Sequence, residues 1–402
     1  MKAHQLLQKD KQAFERIPAP CPVFGTCGGC SLQDLRYSDQ LALKQQRLLR
    51  ALGALDPSLT VEVQGLEEPW RYRNKAEFTF GQGVDRGVLG YHAARSFWKI
   101  VDLDDCLLMP ESVGPVLRDM RAIAHASGVS AYNPKTHQGC FRYLIVRISH
   151  DTGKLLLCLV TTQAERSAIE AMADRLLARH PAIAGFYWGV NLKVADIATP
   201  DELVLLRGAP YLEDRLGPFT ITFHPLNFVQ PTPAMAERLY AALAELANDA
   251  PSGAAWDLYC GIGFVSFYLA SKYRTVYGID SDPGNLELAR LNAAANGLGN
   301  VQFHVGRAED LLANKRFWLT EARPELIVVD PPRCGLHPRV IGALLAARPK
   351  QVLYVSCNAQ ALVRDLQELV RGFPRYRICR VIGFDLFPHT PHLEVLTLLE
   401  RV

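Results

Sequence analysis

Residues 254–263, Ala-Ala-Trp-Asp-Leu-Tyr-Cys-Gly-Ile-Gly, read as a short apolar strand that ends in two closely spaced glycines; residues 264–269 then continue as a helix. Glycines at such a junction let the backbone turn tightly against a ligand. A lone G-x-G is also a simple tight turn, so the surroundings decide its meaning. Downstream, TVYGID (275–280), a helix over 283–296, VQFHVG (301–306) and a helical stretch follow in order. ELIVVD (325–330), a helix over 338–347, QVLYVSC (351–357) and a helix over 359–371 continue the alternation. Five strand–helix units require right-handed crossovers and an α/β architecture, a parallel sheet with helices on both faces. YRICRVIGFD and HLEVLTLLE then close the chain as two strands joined by a loop, which predicts an antiparallel last strand.

Upstream the rhythm differs. Tyr37–Leu55 has helical periodicity (Leu41, Leu48, Leu49, Leu52). FRYLIVRIS, the turn 151–154 and LLLCLVTT form a β-hairpin pattern, and 165–179 an amphipathic helix. GFYWGVN, LVLLRG and FTITFH are further strands. At 402 residues, two or three domains are expected. We divide the chain into an α+β part, 1–222, and a second part, 223–402, with residues 32–55 able to pack on the latter. The formal net charge of +3 excludes a polycation but not a local basic groove. The N-terminus has no apolar secretory signature and no uncharged apolar run reaches membrane-spanning length, so a cytoplasmic protein with no membrane partner is expected.

In α/β sheets ligands bind beyond the carboxyl ends of the strands, and the chemistry-bearing motifs all fall there. Gly261 and Gly263 end the first strand and Asp280 the second, where a carboxylate can accept hydrogen bonds from ribose hydroxyls. Ser266 occupies the third glycine position of a dinucleotide motif, so a pyrophosphate cradle is not expected. Asp330-Pro-Pro-Arg333 ends the fourth strand. Ser356-Cys357-Asn358 ends the fifth and precedes a helix whose dipole would lower the Cys357 pKa. Glu394 stands near the start of the last strand, where it is either a solvated carboxylate or a general base. Cys21-x5-Cys27-x2-Cys30, with Cys106 far downstream, supplies four thiolates suited to zinc or an iron–sulfur cluster; spacing alone does not choose the metal.

The short Asp-x-x-x-Gly-x-Gly turn resembles the S-adenosylmethionine site of Rossmann-like class I methyltransferases. Five stretches extend the likeness: NFVQPTP (227–233), DLYCGIGF (257–264), DPPRCG (330–335), YVSCN (354–358) and FPHTPHLE (387–394). In this order they resemble the signature set of the RNA 5-methyluridine methyltransferases. CPVFGTCGGC (21–30) and RYRNKAEF (71–78) extend the resemblance into the early region, and the Cys pattern resembles that of the family's iron–sulfur-containing 23S rRNA branch. The resemblance implies that Cys357 is the nucleophile and Glu394 the base that removes the C5 proton. It implies S-adenosylmethionine contacts from Tyr259 and Asp280, a contact from Gln230 to cofactor or base, and Asp330 between cofactor and uracil. It also implies a [4Fe–4S] cluster on Cys21, Cys27, Cys30 and Cys106, with a structural or RNA-positioning role. The chain departs from the family at Asp280, commonly Glu, at Phe264, and at Pro231–Pro233 after Gln230. Arg333 in place of an aromatic residue argues against amine-directed methylation.

The charge distribution agrees with an RNA partner. Residues 71–99 hold six Lys/Arg against two acids, interleaved with Tyr72, Phe78, Phe80, Tyr91, Phe97 and Trp98. Residues 333–380 hold nine against two, a local +7 around Cys357. Cations pair with phosphates and aromatics stack with bases. The resemblance points to 23S rRNA, with tRNA as the alternative. A cytosine-C5 methyltransferase and a non-catalytic RNA-binding iron–sulfur protein are the rivals. Only 20 residues precede Cys21, so the extra N-terminal β-barrel of some relatives is expected to be absent; a monomer is expected.

Overall fold

The computed structural model describes residues 3–83, 87–313 and 323–402. The helical stretch expected after VQFHVG lies partly outside these; its described part is the short helix Ala308–Leu311.

The first strands are β1 (Glu62–Gln64), β2 (Lys75–Gly81), β3 (Val88–His92), β4 (Ile100–Asp102), β5 (Phe141–Ile148), β6 (Leu155–Thr161), β7 (Ile183–Val190) and β8 (Glu202–Gly208). β2 to β8 form a seven-stranded sheet in the order β4-β3-β2-β5-β6-β7-β8. It is antiparallel except for β6 and β7, where the helix Arg166–Arg179 supplies the crossover that a parallel pair needs. β5 and β6 pair as the expected hairpin, and both are buried along their whole length because each face of the sheet is covered. β9 (Leu212–Leu216) and β10 (Phe219–Phe223) make a small antiparallel ribbon.

The second sheet is built from β11 (Ala250–Leu258), β12 (Tyr273–Asp280), β13 (Val301–Val305), β14 (Pro324–Val329), β15 (Gln351–Ser356), β16 (Tyr376–Phe384) and β17 (Glu394–Arg401). Its order is β1-β16-β17-β15-β14-β11-β12-β13. β11 to β15 are mutually parallel, and β17 runs antiparallel between β15 and β16, as the last two strands predicted. One edge was not foreseen. The three-residue β1 pairs parallel with β16, so the N-terminal region completes the C-terminal sheet. Leu48 and Leu52 of the helix Tyr37–Leu52 and Val61 beside β1 are buried in the same core as Trp256, Tyr354 and Leu399.

A second core joins the two sheets. Tyr143, Ile145, Leu156 and Cys158 face the helix Pro233–Leu246, whose Met235, Leu239 and Leu243 are buried together with Leu353, Val355 and Leu396. At roughly 25 cal/mol per Å² of apolar surface, such continuous burial opposes separation of the sheets and fixes their relative placement. No helix among the described residues is long and apolar enough to cross a membrane.

Candidate active site

β11, β12, β14 and β15 are parallel neighbours, so their carboxyl ends lie along one edge of the sheet. At the end of β11, Tyr259 (φ 67°), Gly261 (φ 54°) and Gly263 (φ 95°) all adopt left-handed backbone. A Cβ on Gly263 would meet the Phe267 ring at 2.8 Å, so only glycine lets the turn close onto its helix. Asp257 is wholly buried and accepts a hydrogen bond from Ser266 Oγ at 2.6 Å. This contact explains the serine in the third glycine position: it ties strand to helix. Burial pushes the Asp257 carboxyl up to about 7.

Asp280, at the end of β12, accepts from the backbone N–H of Gly261 at 3.0 Å through one oxygen, and from that of Asp282 at 2.8 Å through the other. Its carboxylate therefore borders the glycine turn, where a nucleoside ribose would lie. Gln230 is buried, and its Oε1 has no hydrogen-bond partner. Its segment is held from the other sheet by Asn74, whose Nδ2 donates to the Gln230 carbonyl at 2.8 Å and whose backbone N–H donates to that of Pro231 at 3.0 Å. Gln230 lines a small cavity with Tyr240 and with Phe264, the residue after Gly263, and a buried, unsatisfied amide oxygen there suits a polar cofactor.

The candidate reactive groups follow β14 and β15 and open β17. Val329 pairs with Tyr354, and Ser356 pairs with Val395, so the antiparallel register places Cys357 opposite Glu394 one step further on. Opposed antiparallel residues have Cα atoms about 4.5–5.5 Å apart. Ser356 and Asn358 fix the backbone around the thiol. Asn358 N–H donates to Ser356 Oγ at 3.1 Å, and Asn358 Oδ1 accepts from Gln360 N–H at 3.0 Å, capping the helix Ala359–Arg371. Asn358 Nδ2 also donates to the Arg333 carbonyl at 2.9 Å, tying the thiol segment to the Asp330-Pro-Pro-Arg333 turn.

The electrostatics correct one expectation. Burial pushes the Cys357 thiol up, and the Glu394 and Asp330 carboxylates reinforce this; only Arg333 pulls it down. Desolvation of a thiolate outweighs the helix N-terminus. Glu394 is 3% exposed; burial first, then Asp330, drives its carboxyl well above the usual range, against Arg333. Burial and Asp257 push the Asp330 carboxyl up as well. Asp330, Glu394 and Asp257 all bear on the enclosed Tyr240. Two neighbouring carboxyl groups that resist simultaneous ionisation can hold one proton between them. Arg333 Nη2 also lies 3.4 Å from His392 Nδ1, and burial followed by Arg333 brings that imidazole down to about 4. The Asp330-Pro-Pro-Arg333 motif places Arg333 at this strand end but says nothing of its pull on Cys357 and Glu394; Tyr240 carries no local signal that places it here.

Cys21, Cys27, Cys30 and Cys106 line one small cavity with Tyr91 and Gln33. Among the described residues, no three His, Cys, Asp or Glu side chains converge as a single metal ion requires. Burial raises the Cys27, Cys30 and Cys106 thiols. Arg73, whose Nε is buried without a hydrogen-bond partner, stands beside Cys30 and Cys106. Four thiols around one space with an adjacent cation form a donor set suited to an anionic, multi-atom group.

This combination defines a Rossmann-like, class I methyltransferase fold. Residues 218–402 match the family described as tRNA (Uracil-5-)-methyltransferase. An uncharacterized RNA methyltransferase of Halalkalibacterium halodurans is 34% identical over 390 residues, covering 96% of this chain and 84% of its own. An uncharacterized RNA methyltransferase of Bacillus cereus is 32% identical over 402 residues, covering 99% and 86%. The crystal structure of Pyrococcus abyssi tRNA (uracil-54, C5)-methyltransferase with S-adenosyl-L-homocysteine superposes with a TM-score of 0.75 at 28% identity, covering 92% of this chain and 85% of that one. The chain belongs to the RNA 5-methyluridine (uracil-C5) methyltransferase family.

Proposed function

We propose that the protein methylates C5 of a specific uridine in 23S rRNA, using S-adenosylmethionine, with Cys357 as nucleophile and Glu394 as base. The observation that carries this reading is the antiparallel register that sets Cys357 opposite Glu394, with Asp330 and Arg333 beside both. Gln230, Tyr259, Gly261, Gly263, Asp280 and Asp330 bind the cofactor, which when bound supplies an electrophilic methyl group. Uracil C5 is a poor nucleophile. Addition of the Cys357 thiolate to C6 builds electron density at C5, the carbon that becomes methylated. Arg333 favours the thiolate that must form. Glu394 then removes the C5 proton, and its burial makes it a strong proton acceptor once ionised. Elimination at C6 releases Cys357. Asp330 accepts the uracil N3–H.

In this reading residues 223–402 form the catalytic domain and residues 1–222 the RNA-binding domain. Cys21, Cys27, Cys30 and Cys106 hold a [4Fe–4S] cluster, which has a structural or RNA-positioning role because methyl transfer needs no redox step. The four thiols support the rRNA branch. The likeness to a tRNA (uracil-54, C5)-methyltransferase supports a second reading in which tRNA is the substrate. Mapping 5-methyluridine in rRNA and tRNA from a deletion strain separates them. Cys357→Ala abolishes methylation and Glu394→Gln accumulates a covalent RNA adduct; near wild-type turnover of Cys357→Ala refutes the scheme. Activity falls steeply with salt, as a phosphate-lined groove requires.

A further inference from the structure

A second cavity, of about 430 Å³, opens on the seven-stranded sheet away from Cys357. This volume falls within the roughly 300–1,000 Å³ of small-ligand sites. It is bordered by Phe97, Trp98 and Tyr132, by Lys99 and Lys135, and by Asp196. Phe97 and Trp98 are 76% and 57% exposed. Leaving two adjacent aromatic rings in water is unfavourable unless something covers them. Asp196, the acid on this wall, is already engaged by His92 Nε2 at 3.3 Å and by the Tyr143 hydroxyl. Lys135 Nζ lies 4.9 Å from the centre of the Trp98 ring, and Arg142 lies over Tyr132 at 4.4 Å. Arg142 is buried and donates to the carbonyls of Asn191, Lys193 and Ala195, so the Tyr132 wall is rigidly backed. Exposed aromatic rings beside ammonium groups that carry no ion pair to the wall's acid recognise a base together with its phosphate.

The geometry points to an accessory nucleotide pocket that takes an unpaired base of the substrate RNA, stacked on Trp98, with its phosphates on Lys99 and Lys135. Its distance from the catalytic cleft follows from β2. Asn74, just before the strand, holds the Gln230 segment, and Thr79 of the same strand lines the pocket. Five residues at about 3.3 Å each put the two roughly 17 Å apart. The pocket therefore binds a nucleotide a short way along the strand from the target uridine. Charge complementarity favours RNA over a protein: the exposed Lys99 and Lys135 border the rings, and Asp196, the acid of the lining, is occupied.

The inference rests on RNA being the substrate. The test uses the full chain with a short single-stranded poly(U) oligonucleotide, in binding by anisotropy, and with the RNA fraction that the wild type methylates, in kinetics. Trp98→Ala weakens oligonucleotide binding by about ten- to a hundredfold and raises KM similarly with kcat retained, while Trp98→Phe restores both. Lys99→Ala with Lys135→Ala flattens the salt dependence of binding. Trp98 is largely exposed, so an unchanged melting curve accompanies the loss. Affinity and KM of Trp98→Ala within twofold of wild type overturn the pocket, even if a protein partner is lost. Photocrosslinks from 4-thiouridine RNA mapping to residues 96–99 or 132–135 support it; crosslinks confined to the surroundings of Cys357 and Asn74 overturn it. Failure of the methyl-transfer reading is distinct: the wild type itself then leaves RNA unmethylated.

Discussion

Lys44 and Asp385 form an ion pair of 2.6 Å with both side chains at zero exposure. Lys44 belongs to the N-terminal helix Tyr37–Leu52, and Asp385 opens the loop that leads to Glu394. The ammonium also donates to the Phe387 carbonyl at 3.1 Å, and the Tyr37 hydroxyl donates to Asp385 Oδ2 at 3.1 Å. Further along that loop, the His389 carbonyl accepts from Ser31 and Leu32 at 2.9 and 3.0 Å, immediately after Cys30. The His389 ring stacks on Trp70 with centroids 3.7 Å apart. The segment presenting the proposed base is thus held by residues from the opposite end of the chain.

Lys44→Met leaves the Asp385 carboxylate buried and unpaired. Breaking one side of such a pair costs roughly 3–5 kcal/mol, so a large drop in denaturation midpoint is expected. The double variant Lys44→Met/Asp385→Leu removes both charges and recovers most of the loss. Denaturant titration of the three proteins checks this.

The pH profile follows from the raised Cys357 thiol and the raised Glu394 carboxyl. Both must be ionised to act, so kcat/KM climbs as pH rises through and above neutrality. Arg333 draws both groups down, so Arg333→Gln moves the profile to higher pH as well as lowering the rate, whereas Arg333→Lys moves it less. An unshifted midpoint in Arg333→Gln would separate Arg333 from the thiol.

Asp257 contributes a pH-dependent stability of opposite sign to an ordinary salt-bridged carboxylate. Its folded pKa, about 7, lies above the ordinary 3.8, so folding takes up a proton between these values and stability falls as pH rises through that window. About three units correspond to an upper limit of roughly 4 kcal/mol. Asp257→Asn keeps an acceptor for Ser266 but cannot ionise. It should gain on the wild type above pH 7 in urea melts and lose that advantage near pH 4.

The proposed cluster on Cys21, Cys27, Cys30 and Cys106 predicts brown, iron-containing protein after anaerobic purification. Cys30→Ser lowers the iron content and speeds amide exchange at Ser31 and Leu32, whose N–H groups are anchored on His389. One zinc and no iron would exclude the cluster.

Much of this was legible because the relevant signals are local. Strand–helix alternation from Ala254 onward determined a parallel sheet, since crossovers of that length have one sterically easy hand. The turn residues Gly261 and Gly263, and the Cys357 and Glu394 motifs at strand ends, were visible as residue types at fixed positions. The tertiary structure alone decided what depends on contacts between distant segments: β1 on the edge of the C-terminal sheet, Lys44 against Asp385, and Asn74 holding Gln230. It also reversed the sign expected for Cys357. A helix N-terminus can be read from Asn358 and the residues after it, but desolvation is set by everything packed around the thiol, and that packing is not written in any one stretch of the chain.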